Sequence, residues 1–93
     1  MVMSLSTKRP GLDPVLTIAR EYLDRGDFEN ATHVYRHLIN RGRELDKVIL
    51  DLVEIVQQYP RELSLWQILG DALALNGEVE DAVRAYEQAS KIG

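Results

Sequence analysis

Two histidines four positions apart are the residues best placed for metal chemistry. His33 and His37 lie in a predicted helix, where side chains four residues apart share a face. Two imidazoles on one face can bind one metal ion, and Glu29, one turn earlier, could supply a third ligand. The simpler interpretation is that both histidines are exposed on the helix surface, and we favour it. A metal-dependent enzyme or a metal-binding protein using His33 and His37 is the least favoured alternative.

Other catalytic patterns are not recognisable in the sequence. No serine sits on an evident elbow beside a base, and the glycines are isolated rather than grouped into a phosphate-binding loop. The carboxylates Glu78, Glu80 and Asp81 stand at the start of a predicted helix, where they suit the helix dipole. The sequence therefore predicts no enzyme, no catalytic residue, no metal ligand and no cofactor.

Composition limits the class of protein and of partner. The 93 residues are 45% apolar and 28% charged, as in an ordinary globular domain. The net charge of −4 argues against a nucleic-acid partner, which needs a clustered basic face. Residues 1–43 carry a charge of +2 and residues 44–93 a charge of −6. This asymmetry could favour head-to-tail contacts, but a solvated acidic surface explains it more simply.

The sequence also indicates a compartment. It has no cysteine, which excludes disulfides and cysteine-type zinc sites. Residues 1–11 do not resemble a signal peptide, and no apolar run approaches the ~18 residues of a membrane span. We expect a cytoplasmic protein with no membrane partner, although the chain could be a piece of a longer one.

Helical periodicity organises the chain from position 13 onward. We expect residues 1–12 to be a flexible lead-in and residues 13–93 to form a single all-α domain. Asp13 and Asp27 are predicted N-caps, and Gly26 and Gly42 are predicted helix ends. The predicted helices cover residues 14–25, 28–41, 44–59, 62–75 and 79–91. Short loops between them imply antiparallel neighbours.

The third predicted helix, 44–59, is apolar around more than half of its circumference. A helix of that kind is usually buried on two sides. We therefore expect it at the centre of the bundle. In the first helix, the spacing of Val15, Ile18, Ala19, Tyr22 and Leu23 predicts the buried face.

Two parts of the chain resemble each other at an offset of 51 residues. Residues 12–42 can be placed over residues 63–93, so that a turn glycine, a small residue and an aromatic residue all recur. The matched pairs are Ile18 with Leu69, Ala19 with Gly70, Tyr22 with Leu73, Gly26 with Gly77, Ala31 with Ala82, and Tyr35 with Tyr86. One or two such pairs could arise by chance, but hardly the whole set.

The second unit carries a recognisable spacing of large and small residues. Its positions are Trp66, Leu69, Gly70, Leu73, Ala82, Tyr86 and Ala89, with Pro60 just ahead of the unit. This spacing resembles the tetratricopeptide repeat, except that Leu73 stands where that family usually has tyrosine. In such a pair, Gly70 and Ala82 are small so that two helices approach closely. Trp66 and Tyr86 fill the space around that contact.

The first unit, residues 13–42, is a looser match. Val15 replaces the tryptophan and Ala19 the glycine, whereas Tyr22, Ala31 and Tyr35 are kept. The resemblance covers two helix pairs, 13–42 and 62–92. It implies a helical-repeat fold, an array of about five antiparallel helices.

The 51-residue offset departs from the family, whose repeats recur every 34 residues. The surplus of 17 residues is the intervening helix, 44–59. It could form an irregular pair with helix 28–41, or it could bridge the two regular pairs. The spacing of Val48, Leu52, Ile55 and Pro60 favours the irregular pair.

The resemblance implies a protein–protein interaction module, an adaptor or scaffold. In this family the first helix of each pair lines a concave surface on which another protein or peptide lies. The matching positions are Leu16, Arg20, Leu23, Asp24, Gln67, Asp71, Ala74 and Leu75. Family members that clamp a terminal carboxylate use lysine and asparagine, and Leu16, Arg20, Gln67 and Asp71 do not match that set. A carboxylate clamp is not predicted.

Self-association is the alternative function. Stacked repeats leave an apolar side at each end of an array, and two pairs are few for full stability. The last helix carries Val83 and Ala89, with no following helix to cover them. We expect a homo-oligomer, or a module that oligomerises a larger protein.

Overall fold

The computed structural model describes residues 13–92, which contain five helices. The helices are α1 (Pro14–Asp24), α2 (Phe28–Asn40), α3 (Leu45–Gln58), α4 (Leu63–Leu75) and α5 (Val79–Ile92). Residues 13–92 contain no strand, which confirms the all-α array of about five helices. The expectation for the lead-in, residues 1–12, lies outside the described residues.

Local sequence determines where the helices begin and end. The carboxylate of Asp13 accepts the backbone N–H of Val15 at 2.9 Å, and Asp27 accepts that of Asn30 at 3.3 Å. Gly26 and Gly42 take positive φ angles of 75° and 64° after α1 and α2. Those conformations are cheap only for glycine, so the predicted caps and glycine stops are confirmed.

The start of α3 has a different geometry. Glu44 precedes the helix in the left-handed region, with φ 55°, and its side chain caps no backbone N–H. Its carboxylate instead accepts a hydrogen bond from the ammonium of Lys47, at 3.0 Å. A non-glycine residue in this region carries a conformational cost, so the turn into α3 is a strained point of the backbone.

Two helix pairs form the closest packing, α1 with α2 and α4 with α5. Helix α4 also packs against α2 and α3, so α4 is the central helix. The prediction that helix 44–59 lies at the centre is wrong. One side of α3 faces solvent, with Leu50 65% exposed, whereas α4 has few polar side chains and contacts three neighbours.

Helix α3 bridges the two pairs. It packs more closely against α4 than against α2, so the irregular pair with helix 28–41 is not what the structure shows. At the α3–α4 junction, the indole Nε1 of Trp66 donates to the carbonyl oxygen of Pro60 at 2.8 Å. This bond holds the chain reversal at the start of α4.

The core runs along the inner faces of α1 to α4. Its largest fully buried side chains are Tyr35, Leu16, Leu38, Leu52, Leu65, Ile68 and Val48. In α1 the buried face is rotated slightly about the helix axis from the predicted face. Leu16 is fully buried, whereas Ile18 is 46% exposed, which corrects the predicted place of Ile18.

Candidate functional site

Small residues lie at the contact between α4 and α5. Gly70 is buried, and a Cβ built on it would stand 2.5 Å from Cε1 of Tyr86. Ala82 of α5 is 2% exposed. In the α1–α2 pair, Ala19 and Ala31 are both fully buried. Both pairs therefore bury small side chains at the predicted positions.

The other predicted core positions are mostly buried as well. Leu69, Leu73 and Ala89 are buried, and Tyr22 and Trp66 are half-buried. Tyr86 is 40% exposed, because its ring lies over Gly70 at the edge of the pair rather than inside it.

The two repeat-related tyrosines each donate a hydrogen bond to an aspartate that also binds an arginine. Tyr86 Oη donates to Asp71, and Arg36 Nη1 donates to the same carboxylate at 2.9 Å. The second cluster is centred on another carboxylate, that of Asp51.

In that second cluster Tyr35 Oη donates to Asp51 at 2.9 Å. Arg20 forms two bonds with the Asp51 carboxylate, at 2.8 and 3.1 Å. At the 51-residue offset Arg20 corresponds to Asp71, so the first unit has a cation where the second has the carboxylate. Helix α3 supplies the missing acceptor, Asp51. Sequence reasoning missed this role, and the only signal was the opposite charge of Arg20 and Asp71.

The pKa of both tyrosines is raised, each for a different main reason. The bond to Asp71, with partial burial, raises the pKa of Tyr86 to about 12. Burial, followed by the charge of Asp51, raises the pKa of Tyr35 well above its usual range. Both phenols are therefore protonated at neutral pH and act as donors that connect helices.

An open groove lies between α1 and α3, which we call the α1–α3 groove. Arg20, Leu23 and Asp24 line it from α1, opposite Asp51 and Glu54 of α3. Its volume is about 470 Å³. Three of the predicted partner-binding residues are thus gathered on one concave surface.

A second, more open groove contains three others. Asp71, Ala74 and Leu75 of α4 face Arg36 and Ile39 of α2 across a space of about 330 Å³. We call this the α2–α4 groove. It shares no lining residue with the α1–α3 groove, so the predicted surface is divided into two places.

Two predicted surface residues lie in neither groove. Gln67 is exposed on α4 but lines neither of the two. Leu16 is fully buried, so its predicted place on the binding surface is wrong. Leu16 lies three residues before Ala19, on the face of α1 that packs into the core.

The histidines are exposed on α2, as in the simpler interpretation. Nε2 of His37 accepts a hydrogen bond from Nε of Arg41 at 3.2 Å. Within residues 13–92, no three His, Asp or Glu side chains are grouped so that they could hold a metal ion. The metal alternative therefore gains no support from this arrangement.

The acidic residues around the start of α5 make local contacts. Glu78 accepts from Asn76 Nδ2 at 2.7 Å, and Asp81 pairs with Arg84 at 2.8 Å. Glu80 and Asp81 lie in the first turn, where negative charge is favourable. Helix geometry accounts for them without catalysis.

The outer side of α5 is partly apolar. Val79 and Val83 are 62% and 49% exposed, beside Glu80, Arg84 and Glu87. Ala89 is buried, so it does not contribute to an uncovered face, and that part of the self-association argument is wrong. No helix in residues 13–92 is both long and apolar enough to cross a bilayer.

Comparison of the chain with protein-family models, with curated proteins and with solved structures found no match.

Proposed function

We propose that this chain is a protein-binding module of the tetratricopeptide type, an adaptor or scaffold without catalytic activity. The close approach of Gly70 to Tyr86, with the burial of Ala82, Ala19 and Ala31, supports the repeat assignment. The helix that interrupts the regular spacing, α3, creates the surface on which the proposal depends.

The α1–α3 groove is the observation that carries this function. It combines Leu23 with the charged side chains of Arg20, Asp24 and Glu54 on a solvent-open concave surface. Five of its eight lining residues are charged or polar, so the groove suits a charged segment of a partner. The hydroxyl–carboxylate contacts at Asp51 and Asp71 connect helices instead of presenting a reactive group.

Site-specific cross-linking tests the proposal. A photo-reactive amino acid replaces Gln58, which is exposed and lines the groove, in one version of the full chain. A second version carries it at His33, which is exposed on α2. We expect a discrete protein to cross-link from position 58 and not from position 33, and to bind again when purified. Equal cross-linking from both positions, or from neither, would count against a groove-based binding role.

The exposed side of α5 favours a second candidate, self-association. Val79 and Val83 lie four residues apart on one face with no neighbour in residues 13–92 that covers them. Burying such a face against another copy would remove apolar surface from water. Light scattering should then give a mass above 10.6 kDa, and Val83→Glu should lower it, whereas the exposed control Gln88→Glu should not. A wild-type monomer at high concentration would rule this candidate out.

A further inference from the structure

One face of α1 and one face of α3 line the same groove, but the two helices do not pack closely against each other. On α1, Arg20, Leu23 and Asp24 follow the i, i+3, i+4 spacing of one helix face. On the α3 side, the lining residues follow the same kind of spacing over two turns, from Asp51 to Tyr59. The gap of about 470 Å³ between them lies within the ~300–1,000 Å³ of ligand-binding clefts. A lysine or arginine side chain with its neighbours in a peptide would fit there.

The charge of the groove decides what kind of segment fits. Arg20 is its only cation among the lining residues, and both of its bonds go to Asp51. Asp51 receives a third bond from Tyr35, so these groups satisfy one another. Asp24 and Glu54 form no ion pair with any other residue of 13–92. Within the described residues, the groove therefore presents two carboxylates that have no ion-pair partner.

Apolar side chains make up the smaller part of the groove lining. They are Leu23, Ile55 and Tyr59, of which Ile55 is buried and Tyr59 is 44% exposed. Tyr59 packs edge-on against Phe28, with ring centroids 4.8 Å apart, so its position is fixed. The methylene stem of a lysine or arginine can lie along such a surface while its charged head remains near the rim.

We propose that the α1–α3 groove binds a basic segment of a partner protein. Leu23, Ile55 and Tyr59 contact the stems of its lysine or arginine side chains, and Asp24 and Glu54 contact the cationic heads. This inference rests on the proposed protein-binding role and adds the chemistry of the partner. An acidic segment is disfavoured at the same place, because its charges would meet two carboxylates and no free cation among the lining residues.

Binding of two synthetic peptides tests the inference. One is a 12-residue peptide of lysine and leucine, and the other replaces every lysine by glutamate. Titrated into the ¹⁵N-labelled full chain, the basic peptide should shift the amide signals of residues 20–24 and 51–59 most strongly. The acidic peptide should leave those signals unchanged, and added salt should weaken binding of the basic one.

Two double variants separate the groove from the overall charge of the protein. Asp24→Lys with Glu54→Lys should weaken binding of the basic peptide by about tenfold or more, since each carboxylate contact becomes a repulsion. Glu80→Lys with Glu87→Lys changes the net charge equally on α5 and should change the affinity by about twofold or less. Equal losses in both variants, or equal binding of the acidic peptide, would overturn the inference.

The outcomes also separate this inference from the proposed function. A protein that cross-links from position 58 and still binds the Asp24→Lys, Glu54→Lys variant would refute the basic-segment inference alone. The general binding role would then stand. If no protein depends on the groove, the binding role itself is refuted.

Discussion

The ring of Tyr86 occupies the space that a side chain at Gly70 would need. A Cβ on Gly70 would lie 2.5 to 2.8 Å from three ring carbons of Tyr86. Because the Tyr86 hydroxyl is bonded to Asp71, the ring cannot turn away without breaking that bond. At this point of the α4–α5 pair, a glycine therefore packs against an aromatic ring.

Replacing Gly70 by leucine should force α4 and α5 apart. Overpacking of a close contact costs about 1–3 kcal/mol, so we expect a loss of stability of that size. Urea unfolding followed by circular dichroism gives the free energy of unfolding. Ala74→Leu, an exposed position on the same helix, should change it by less than about 0.5 kcal/mol.

A double variant shows whether the cost arises from the ring. In a Tyr86→Ala background, Gly70→Ala should be neutral or should stabilise by up to about 1 kcal/mol, since alanine is the better helix former. If Gly70→Ala has the same effect with and without the Tyr86 ring, the described contact does not control this position.

Removing the hydroxyl of Tyr35 should lower the free energy of unfolding more than removing that of Tyr86. Tyr35 is fully buried and Tyr86 is 40% exposed, so water can replace the bond of Tyr86 but not that of Tyr35. We expect Tyr35→Phe to cost about 1.5 kcal/mol and Tyr86→Phe about 0.5 kcal/mol. Chemical unfolding of both variants measures this, and the reverse order would mean that Asp51 does not connect α1, α2 and α3 as described.

The alkaline titration of Tyr86 should depend on Asp71. The hydrogen bond to Asp71 raises the pKa of Tyr86 from 10.0 to about 12. A raised pKa means that the protonated phenol stabilises the fold below pH 10, and that this contribution is lost as the pH rises toward 12. Asp71→Asn removes the charge and should lower the pKa of Tyr86 toward 10.

Ultraviolet absorbance of the phenolate measures that shift. The curve of each protein is compared with the same protein carrying Tyr86→Phe, so that the difference belongs to Tyr86 alone. Asp81→Asn, at an exposed residue that pairs with Arg84, serves as control and should leave the difference curve in place. An unchanged curve in Asp71→Asn would contradict the assignment.

Asp13 should make stability depend on acid pH. The Val15 backbone N–H, and then Arg43, lower the pKa of Asp13 below 3.8. A lowered pKa adds stability above about pH 3.8, and that stability is lost as the pH falls through the lower value. Asp13→Asn keeps a capping side chain but removes the charge, so its melting temperature should be lower than wild type at pH 7.

That difference should shrink as both proteins approach pH 2. Thermal melts followed by circular dichroism between pH 2 and 7 would show it. Asp46→Asn, at an exposed residue of the first turn of α3, provides a comparison without the Arg43 contact. A difference between wild type and Asp13→Asn that stays constant with pH would mean that Asp13 acts as a cap alone.

The helices could be predicted because their signals are local. Asp13 and Asp27 cap the first two helices, Gly26 and Gly42 end them, and the periodic apolar residues lie between. These interactions join residues a few positions apart, so the local sequence is enough to predict where each helix begins and ends. The five helices match the predicted spans to within about two residues.

The orientation of the helices depended on distant residues. Leu16 and Ile18 are both apolar, and only the position of the neighbouring helices decides which one is buried. The same holds for the central helix, since α3 is apolar enough for the centre but α4 contacts more neighbours. Asp51 lies outside both repeat units, so no pattern linked it to Tyr35.

The bond between Trp66 and the Pro60 carbonyl affects how unfolding can be followed. Trp66 is the only tryptophan in the chain, so intrinsic fluorescence excited at the indole reports mainly on the start of α4 and the core beside it. An opening of the α1–α2 pair that left this region in place would change the signal little. A fluorescence transition that coincides with the far-ultraviolet dichroism transition would therefore be direct evidence that both ends of the molecule unfold together.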